Sequence, residues 1–266
     1  FLVIASLILF MLPTLMMVTF ETYFAQKMSV EERGEMMRMW APTAEQLQEQ
    51  LDIYRGSFMT QLPERFKAWA SMFGFLMFFI WRILGNMLIG MALYKAGILS
   101  ARKSETTLGV IAAFGFALGL PLAALGIHQN AANGWTMEFS FGIGSLYNYV
   151  GSLLAAFGWI GLVTAVYRTG VAPNVQARFA AVGRMAFTNY IMHSVICTLI
   201  FNGHGLGYFG HVNRITQLAL VLAIGGFQLW YSPWWLRHFR FGPLEWLWRS
   251  LAYWRLQPVW ARLDQR

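Results

Sequence analysis

GRMAFTNYIMHSVICTLIF, residues Gly183 to Phe201, is the stretch that decides the fold of this chain. Its apolar length suits a membrane-spanning helix, yet polar side chains interrupt it. Because polar groups are costly in hydrocarbon, they mark a packed interior, a cavity or a site. Asn189, His193 and Cys197 are four residues apart and share one helical face, which we expect to look into the protein. The side expected nearer to lipid carries Phe187, Ile191 and Leu199.

The composition predicts an integral membrane protein. Of the 266 residues, 57% are hydrophobic and 12% are charged, whereas an average soluble domain has roughly a quarter of charged residues. The mean hydropathy of +0.47 agrees. The net charge of +8 does not indicate nucleic-acid binding, because membrane proteins collect Lys and Arg on their cytoplasmic side. The single cysteine excludes an internal disulfide.

Apolar runs long enough to cross about 30 Å of hydrocarbon predict about six transmembrane helices in an all-α bundle. They lie at about 1–20, 68–95, 107–126, 143–167, 184–202 and 213–232. The second run contains Arg82 and Asn86, and two shorter helices are an alternative there. Since the chain begins inside an apolar run without a start methionine, we expect it to be the C-terminal part of a longer protein.

Charge sets the expected orientation. Lys and Arg flank the loops after the second and fourth spans and follow the sixth, whereas the loops near 127–142 and 203–212 have neither. The positive-inside rule therefore places the basic loops in the cytoplasm, with both ends of the chain inside.

Two segments differ from the bundle at 68–235 and from the first span at 1–20. Residues 21–67 carry eight of the twelve acidic residues and are predicted as an extracytoplasmic segment with a helix at about 43–56. This segment is either a cap packed on the spans or a lid that gates a substrate. The apolar stripe of its helix carries Leu47, Leu51 and Tyr54.

Residues 236–266 are predicted as a cytoplasmic amphipathic helix and tail. Gly242-Pro243 is typical of a helix start. A helix rich in Trp and Arg usually lies in the membrane interface, and a partner-binding helix is the alternative. Glu245 and Arg249, four residues apart, are expected to pair. The predicted apolar face carries Leu244, Leu247, Trp248, Leu251 and Trp254.

Three motifs in this order resemble the YeiB-like family of bacterial inner-membrane proteins, also called domain of unknown function 418. They are GNMLIGMALYKAGIL (Gly85–Leu99), GRMAFTNYIMHS (Gly183–Ser194) with GHGLGYFG (Gly203–Gly210), and FRFGPLEWLWRSLAYWR (Phe239–Arg255). The resemblance covers about 81–258 and implies a multi-pass protein of the bacterial inner membrane. The family has no established activity to carry over, and it more commonly has Gln at position 193. Its architecture is similar to that of transmembrane acyltransferases, which move an acyl group from a cytoplasmic donor to a sugar-like acceptor.

Five polar residues are the candidate site. We expect Arg82, Asn86, Asn189 and Tyr190 to bind substrate in the polar interior, and His193 to be the catalytic candidate, because imidazole acts as a general base near neutral pH. The alternatives are hydrogen bonds that brace helices. No acidic residue lies in a predicted span, so Arg82 is expected to meet backbone carbonyls, water or an anionic ligand such as a lipid headgroup or phosphate.

The sequence is compatible with three functions. The first is an acyltransferase-like protein that uses acyl-CoA and a sugar-like or lipid acceptor. The second is a transporter or lipid-handling protein without catalysis, and the third is a scaffold. Membrane lipids are expected partners in each. His204 and His211 flank a Gly-rich turn without a recognised metal spacing, so no metal site is predicted. The sequence leaves the substrate, the donor, the reaction and the oligomeric state open.

Overall fold

The computed structural model describes residues 2–19, 22–23 and 25–260, and helices dominate them, which confirms the all-α class. The outer ends of the predicted first span, at 1 and 20, and the tail residues 261–266 lie outside this described part. The helices are α1 (Leu2–Thr19), α2 (Ala25–Lys27), α3 (Val30–Trp40), α4 (Ala44–Arg55), α5 (Phe58–Lys95), α6 (Glu105–Ala132), α7 (Met137–Phe141), α8 (Ile143–Thr169), α9 (Pro173–Arg184), α10 (Ala186–Phe201), α11 (Arg214–His238) and α12 (Pro243–Ala252).

Three helical stretches are long and apolar enough to cross a membrane, and they indicate a membrane protein. They are Glu105–Ala132, Met137–Thr169 and Arg214–His238. A fourth is counted if Phe58–Gly74 and Phe79–Lys95, which meet at a bend of 65°, form one span. The remaining two predicted spans correspond to shorter apolar helices, Val3–Thr19 and Ala186–Phe201.

The chain folds into two compact units. The first unit comprises the described parts of Phe1–Ala44 and Phe66–Val171, and the second those of Glu45–Arg65 and Ala172–Arg266. The boundaries predicted near 20, 67 and 235 follow composition, whereas the units follow packing. The acidic segment 21–67 is consequently divided between the two units.

Backbone contact between α6 and α8 organises the first unit. A Cβ atom on Gly115 would lie 2.2 Å from the backbone nitrogen of Gly158, and one on Gly161 would lie 2.6 Å from that of Ala112. Apolar side chains gain little by leaving lipid for a helix partner, so close packing through small residues drives such pairs. The glycines of these two helices therefore provide the interface.

α1 packs on α8 through one aromatic pair. The rings of Phe10 and Tyr149 lie 4.5 Å apart, and the Tyr149 hydroxyl donates to the Phe10 carbonyl oxygen over 2.6 Å. Both residues are buried. A buried phenol requires a hydrogen-bond partner, and the α1 backbone supplies it. This contact lies beside the side chain of Arg82, as described below.

A capping box starts α3 at Ser29. The Ser29 hydroxyl accepts from the Glu32 backbone nitrogen over 3.2 Å, and the Glu32 carboxylate accepts from the Ser29 backbone nitrogen over 2.8 Å. The same backbone N–H of Ser29 lowers the pKa of Glu32 from its ordinary value. Arg33 pairs with Glu138 of α7 over 3.5 Å, which ties α3 to the membrane-side helices of the first unit.

In the second unit, the Gly-rich turn after α10 docks on α4. The Gly203 backbone nitrogen donates to the Tyr54 carbonyl over 2.9 Å, and the rings of Tyr54 and Phe209 stack at 4.8 Å. A Cβ on Gly203 would lie 1.7 Å from the Arg55 carbonyl oxygen, so only glycine fits. The predicted helix near 43–56 is confirmed as α4, and its Tyr54 makes the expected apolar contact.

Candidate functional site

Arg82 of α5 lies in the first unit against aromatic faces and a hydroxyl group. Its Nη2 donates to the Ser152 hydroxyl of α8 over 3.0 Å. Its guanidinium carbon is 4.0 Å from the centre of the Tyr149 ring and 5.7 Å from that of Phe10. Cation–π contacts of this kind strengthen when the cation is removed from water. The α1–α8 aromatic pair thus holds the guanidinium in place.

Arg82 forms no ion pair with any carboxylate in the described part of the chain. Its guanidinium contacts one hydroxyl and two rings, none of which carries a negative charge. A guanidinium has five N–H donors, and the Ser152 contact uses one of them. The positive charge is therefore available to an anion.

A half-open cavity of about 300 Å³ begins at this cluster. Its polar end is formed by Arg82, Asn86 and Ser152, and the rest of the wall is apolar. Arg82 and Leu93, both in the lining, are eleven residues apart on α5, which is about 16 Å along a helix. A cation at one end and an apolar wall along the remainder match the shape of an amphiphile. The apolar lining includes Ile89, Leu93, Leu153, Phe157 and Ile160.

Asn189 joins three helices of the second unit. Its side-chain nitrogen donates to the Ser232 hydroxyl of α11 over 3.1 Å and to the Val182 carbonyl of α9 over 3.2 Å. Asn189 is only 4% exposed and Ser232 is fully buried. Such bonds hold membrane helices together, because apolar side chains contact lipid about as favourably as they contact another helix. This geometry is that of a brace.

His193 continues the same network one turn further along α10. Its Nε2 lies 2.9 Å from the Gln228 side-chain oxygen, and the Gln228 side-chain nitrogen donates to the Asn189 carbonyl over 3.1 Å. Because that nitrogen is committed to a carbonyl, the Gln228 oxygen must accept. The hydrogen of His193 therefore lies on Nε2, which leaves Nδ1 as the ring's acceptor.

Four of the five predicted site residues form two groups, one in each unit. Arg82 and Asn86 border one cavity of the first unit, and Asn189 and His193 share one hydrogen-bond network of the second. Tyr190 differs from its expected place in a polar interior, since it is 70% exposed. Successive helical residues point about 100° apart, and Asn189 takes the inward direction.

The predicted Glu245–Arg249 pair is wrong, because Glu245 binds the start of α10 instead. Its carboxylate accepts from the Thr188 backbone nitrogen over 3.0 Å and from the Thr188 hydroxyl over 2.5 Å. The first turn of a helix has free N–H groups and a positive dipole end, which favour a carboxylate. The Arg249 guanidinium lies over the Phe241 ring at 4.8 Å.

Three polar partners were missed by the sequence analysis, namely Ser152, Gln228 and Ser232. Each lies within an apolar run that was predicted to span the membrane. The signal that singled out Asn189 and His193, a polar side chain in hydrocarbon, applies equally to them. Gln228 and Ser232 are also four residues apart, which matches the spacing of their partners on α10. Among the described residues, no group of three or more His, Cys, Asp or Glu could hold a metal ion.

Comparison with known proteins places this site in an uncharacterised group. The sequence profile of a family described as "Protein of unknown function (DUF418)" matches residues 93–255. The chain is 38% identical over 182 residues to the uncharacterized protein YeiB of Escherichia coli K12, which is 65% of this chain and 44% of that protein. It is 38% identical over 135 residues to the uncharacterized protein YxaH of Bacillus subtilis strain 168, which is 47% of this chain and 34% of that protein.

The chain spans less than half of the length of these curated relatives. No solved structure matches it significantly. The matched region 93–255 contains Asn189, His193 and Glu245, whereas Arg82 and Asn86 precede it.

Proposed function

Because this chain belongs to the DUF418 family of proteins of unknown function, we propose its role from its own geometry. It forms part of a multi-pass protein of the bacterial inner membrane, and the cavity at Arg82 binds an anionic amphiphile. The single observation that carries this proposal is the guanidinium at the polar end of an otherwise apolar cavity, with no carboxylate of the described chain beside it.

Placing the charge of Arg82 within a membrane span costs free energy. An Arg near the centre of a membrane span costs roughly 2.5–3.5 kcal/mol on the insertion scale. Two ring contacts and one hydroxyl offset part of that cost. A carboxylate or phosphate at the guanidinium adds a charge-assisted hydrogen bond, which is the strong kind. The apolar wall beyond Asn86 accommodates the chain of the same ligand.

The proposed membrane arrangement has six spans with the basic loops in the cytoplasm. Three long apolar helices, the bent α5 and the two shorter helices α1 and α10 support it. α12 has ten residues and is about 15 Å long, too short to cross the hydrocarbon. Its exposed Leu247, Trp248 and Leu251 suit a helix that lies along the cytoplasmic interface.

Acyl transfer from a cytoplasmic donor is the first candidate reaction. Acyl-CoA combines phosphates with an apolar chain, so it belongs to the amphiphile class that the cavity suits. In this reaction Arg82 and Asn86 hold the donor, and a sugar-like or lipid hydroxyl is the acceptor. His193 is the candidate base, with Nδ1 as the proton acceptor because Nε2 donates to Gln228. Asn189 belongs to the same hydrogen-bond network as His193, whereas the exposed Tyr190 is not part of this set.

Lipid handling without catalysis is the second candidate, and one observation favours it. His193 and Asn189 both use side-chain atoms to tie α10 to α11, which is a structural use of both groups. In that case the ligand of Arg82 is a membrane phospholipid that is bound or moved without reaction. The two candidates share the ligand chemistry at Arg82 and differ in its source.

A binding experiment separates these sources. Full-length protein in lipid nanodiscs is titrated with palmitoyl-CoA in one arm and with short-chain phosphatidylglycerol in the other. Arg82→Gln should weaken the preferred ligand about tenfold or more, the effect of losing a charge-assisted hydrogen bond. Arg168→Gln, which removes a partly exposed Arg that pairs with Glu105, is the charge-matched control and should bind as the wild type does.

Thermal unfolding of each variant checks folding, and Ser152→Ala provides a milder second test that keeps the charge. Preference for palmitoyl-CoA supports acyl transfer, and preference for the phospholipid supports lipid handling. The proposal would be contradicted if Arg82→Gln bound each of the two ligands as tightly as the wild type does.

A further inference from the structure

α12 borders a second cavity, which lies within the second unit and whose lining shares no residue with that of the Arg82 cavity. The cavity is open and has a volume of about 600 Å³. Its wall is formed by the first turn of α10 and one side of α12. The lining comprises Phe187, Glu245, Trp248, Arg249, Ala252 and Tyr253. Three aromatic rings, one cation and one carboxylate therefore surround a space of ligand size.

The carboxylate of this cavity is already occupied. Both oxygens of Glu245 accept hydrogen bonds from Thr188, one from the backbone nitrogen and one from the hydroxyl. The negative charge is thereby matched to the positive end of α10. Glu245 is an anchor of α12 and is not available to a cationic ligand.

The cation of the cavity is Arg249, and its N–H donors are available to a ligand. Arg249 makes no ion pair with a carboxylate among the residues that the structure describes. Its guanidinium lies 4.8 Å from the centre of the Phe241 ring, which orients the planar group without using its N–H donors. A guanidinium beside a ring, with its N–H donors still available, suits bidentate binding of a phosphate group.

The surroundings indicate where such a phosphate comes from. Trp248 is 64% exposed and Tyr253 is 68% exposed, and rings of this kind concentrate at the level of lipid headgroups. Between Arg237 and Arg255 the chain has four Arg and one Glu, and that Glu is hydrogen-bonded to the first turn of α10. The charge of this surface is complementary to an anionic leaflet.

We propose that this cavity binds the headgroup of an anionic membrane phospholipid, with the Arg249 guanidinium on its phosphate. The rings of Trp248 and Tyr253 lie against the glycerol and the first carbons of the acyl chains. The proposal rests on the interfacial position of α12 in the proposed function, but it is independent of the ligand at Arg82. It makes one lipid an integral part of the junction between α10 and α12.

Native mass spectrometry of the full-length protein tests this assignment with two matched probes. Phosphatidylglycerol and diacylglycerol with the same acyl chains are added to detergent-purified protein, and the retained lipid is counted. The wild type should retain phosphatidylglycerol and not diacylglycerol. Arg249→Gln should reduce its affinity for phosphatidylglycerol about tenfold or more, whereas Arg255→Gln, outside the cavity lining, should remain within about twofold.

Equal retention of the two lipids by the wild type would overturn the phosphate assignment, as would wild-type retention by Arg249→Gln. Loss of the same size in Arg255→Gln would show a diffuse charge effect and would also overturn it. A nitroxide on Leu251→Cys, in a Cys197→Ala background, reports the depth of α12 in nanodiscs. A label at headgroup depth without selective retention overturns the lipid site alone, whereas a water-exposed label overturns the interfacial placement together with it.

Discussion

Gln228 of α11 donates its side-chain amide to the backbone carbonyl of Asn189 on α10 over 3.1 Å. The carbonyl belongs to the first turn of α10, and the Gln228 amide links α11 to it. Because one end of the amide is fixed in this way, the other end is an acceptor with a defined direction. Whatever stands opposite that oxygen must donate a hydrogen bond or leave it without one.

His193 is the residue opposite that oxygen, and it can be tested by two substitutions. His193→Gln retains a donor that can reach Gln228 and should change the free energy of unfolding by less than about 0.5 kcal/mol. His193→Leu leaves the Gln228 oxygen unpaired and should cost about 1–3 kcal/mol. Thermal unfolding of the full-length protein in detergent measures both. Tyr190→Leu, on the exposed side of α10, is the control and should resemble the wild type.

The same His193→Gln variant decides whether His193 is a structural brace or a catalytic base. Glutamine cannot exchange a proton as imidazole does, so a brace survives the change and a base does not. We expect ligand binding and turnover to persist. If turnover disappears at an unchanged melting temperature, His193 is a base and the chemistry lies in this half of the protein.

The glycine contact of α6 and α8 predicts a strong effect of one methyl group. Gly115→Ala places a Cβ 2.2 Å from the Gly158 backbone nitrogen, and the helices must separate. We expect a loss of about 1–3 kcal/mol in stability, typical of an overpacked site. Gly109→Ala in the same helix is the matched control, since nothing lies within 4 Å of its Cβ position. A Gly115→Ala protein as stable as Gly109→Ala would contradict the observed packing.

The orientation of the chain is tested by cysteine accessibility. In a Cys197→Ala background, Glu45→Cys is expected to react with a membrane-impermeant maleimide added from outside intact spheroplasts. Arg178→Cys, in the basic region after the fourth predicted span, should react only after the membrane is opened. The physical reason is the retention of Lys and Arg loops in the cytoplasm. The reverse pattern of labelling would mean that the orientation is inverted.

The contact of α12 with α10 predicts an energetic coupling between Glu245 and Thr188. Glu245→Ala removes the acceptor, and Thr188→Val removes the hydroxyl that bonds it. Each change should cost about 1–2 kcal/mol, as for the loss of a helix cap. In a double-mutant cycle the second change should cost less than it does alone, by about 0.5–2 kcal/mol. Strict additivity in chemical unfolding would show that the two groups do not interact.

The sequence predicted the long helices because each depends on an uninterrupted apolar run. α6, α8 and α11 lie where 107–126, 143–167 and 213–232 were predicted. The break between α9 and α10 at Met185 lies where the predicted run 184–202 begins, whereas α9 itself has no continuous apolar run and was not predicted from hydropathy. The 65° bend of α5 near residues 74–79 lies inside one apolar run, where hydropathy carries no information on direction.

The candidate site was predicted only as a set of polar residues. Polarity within a span identified Arg82, Asn86, Asn189 and His193, but their partners depend on which helices pack together. Glu245 is an example. Its expected partner was Arg249, four residues away, but its carboxylate instead accepts from the backbone N–H of Thr188 on another helix. The capping box Ser29–Glu32 was different: its S-x-x-E signature was present in the sequence, and was overlooked.

The bare backbone contact of α6 and α8 also bears on how the chain is made. α6 is synthesised before α8. The glycines of α6 form a groove on its surface that lipid tails fill poorly. α8, which follows after a short connection, carries the complementary groove at Gly158 and Gly161. Because each helix supplies the close-packing partner of the other, we expect α6 and α8 to enter the membrane together as a hairpin.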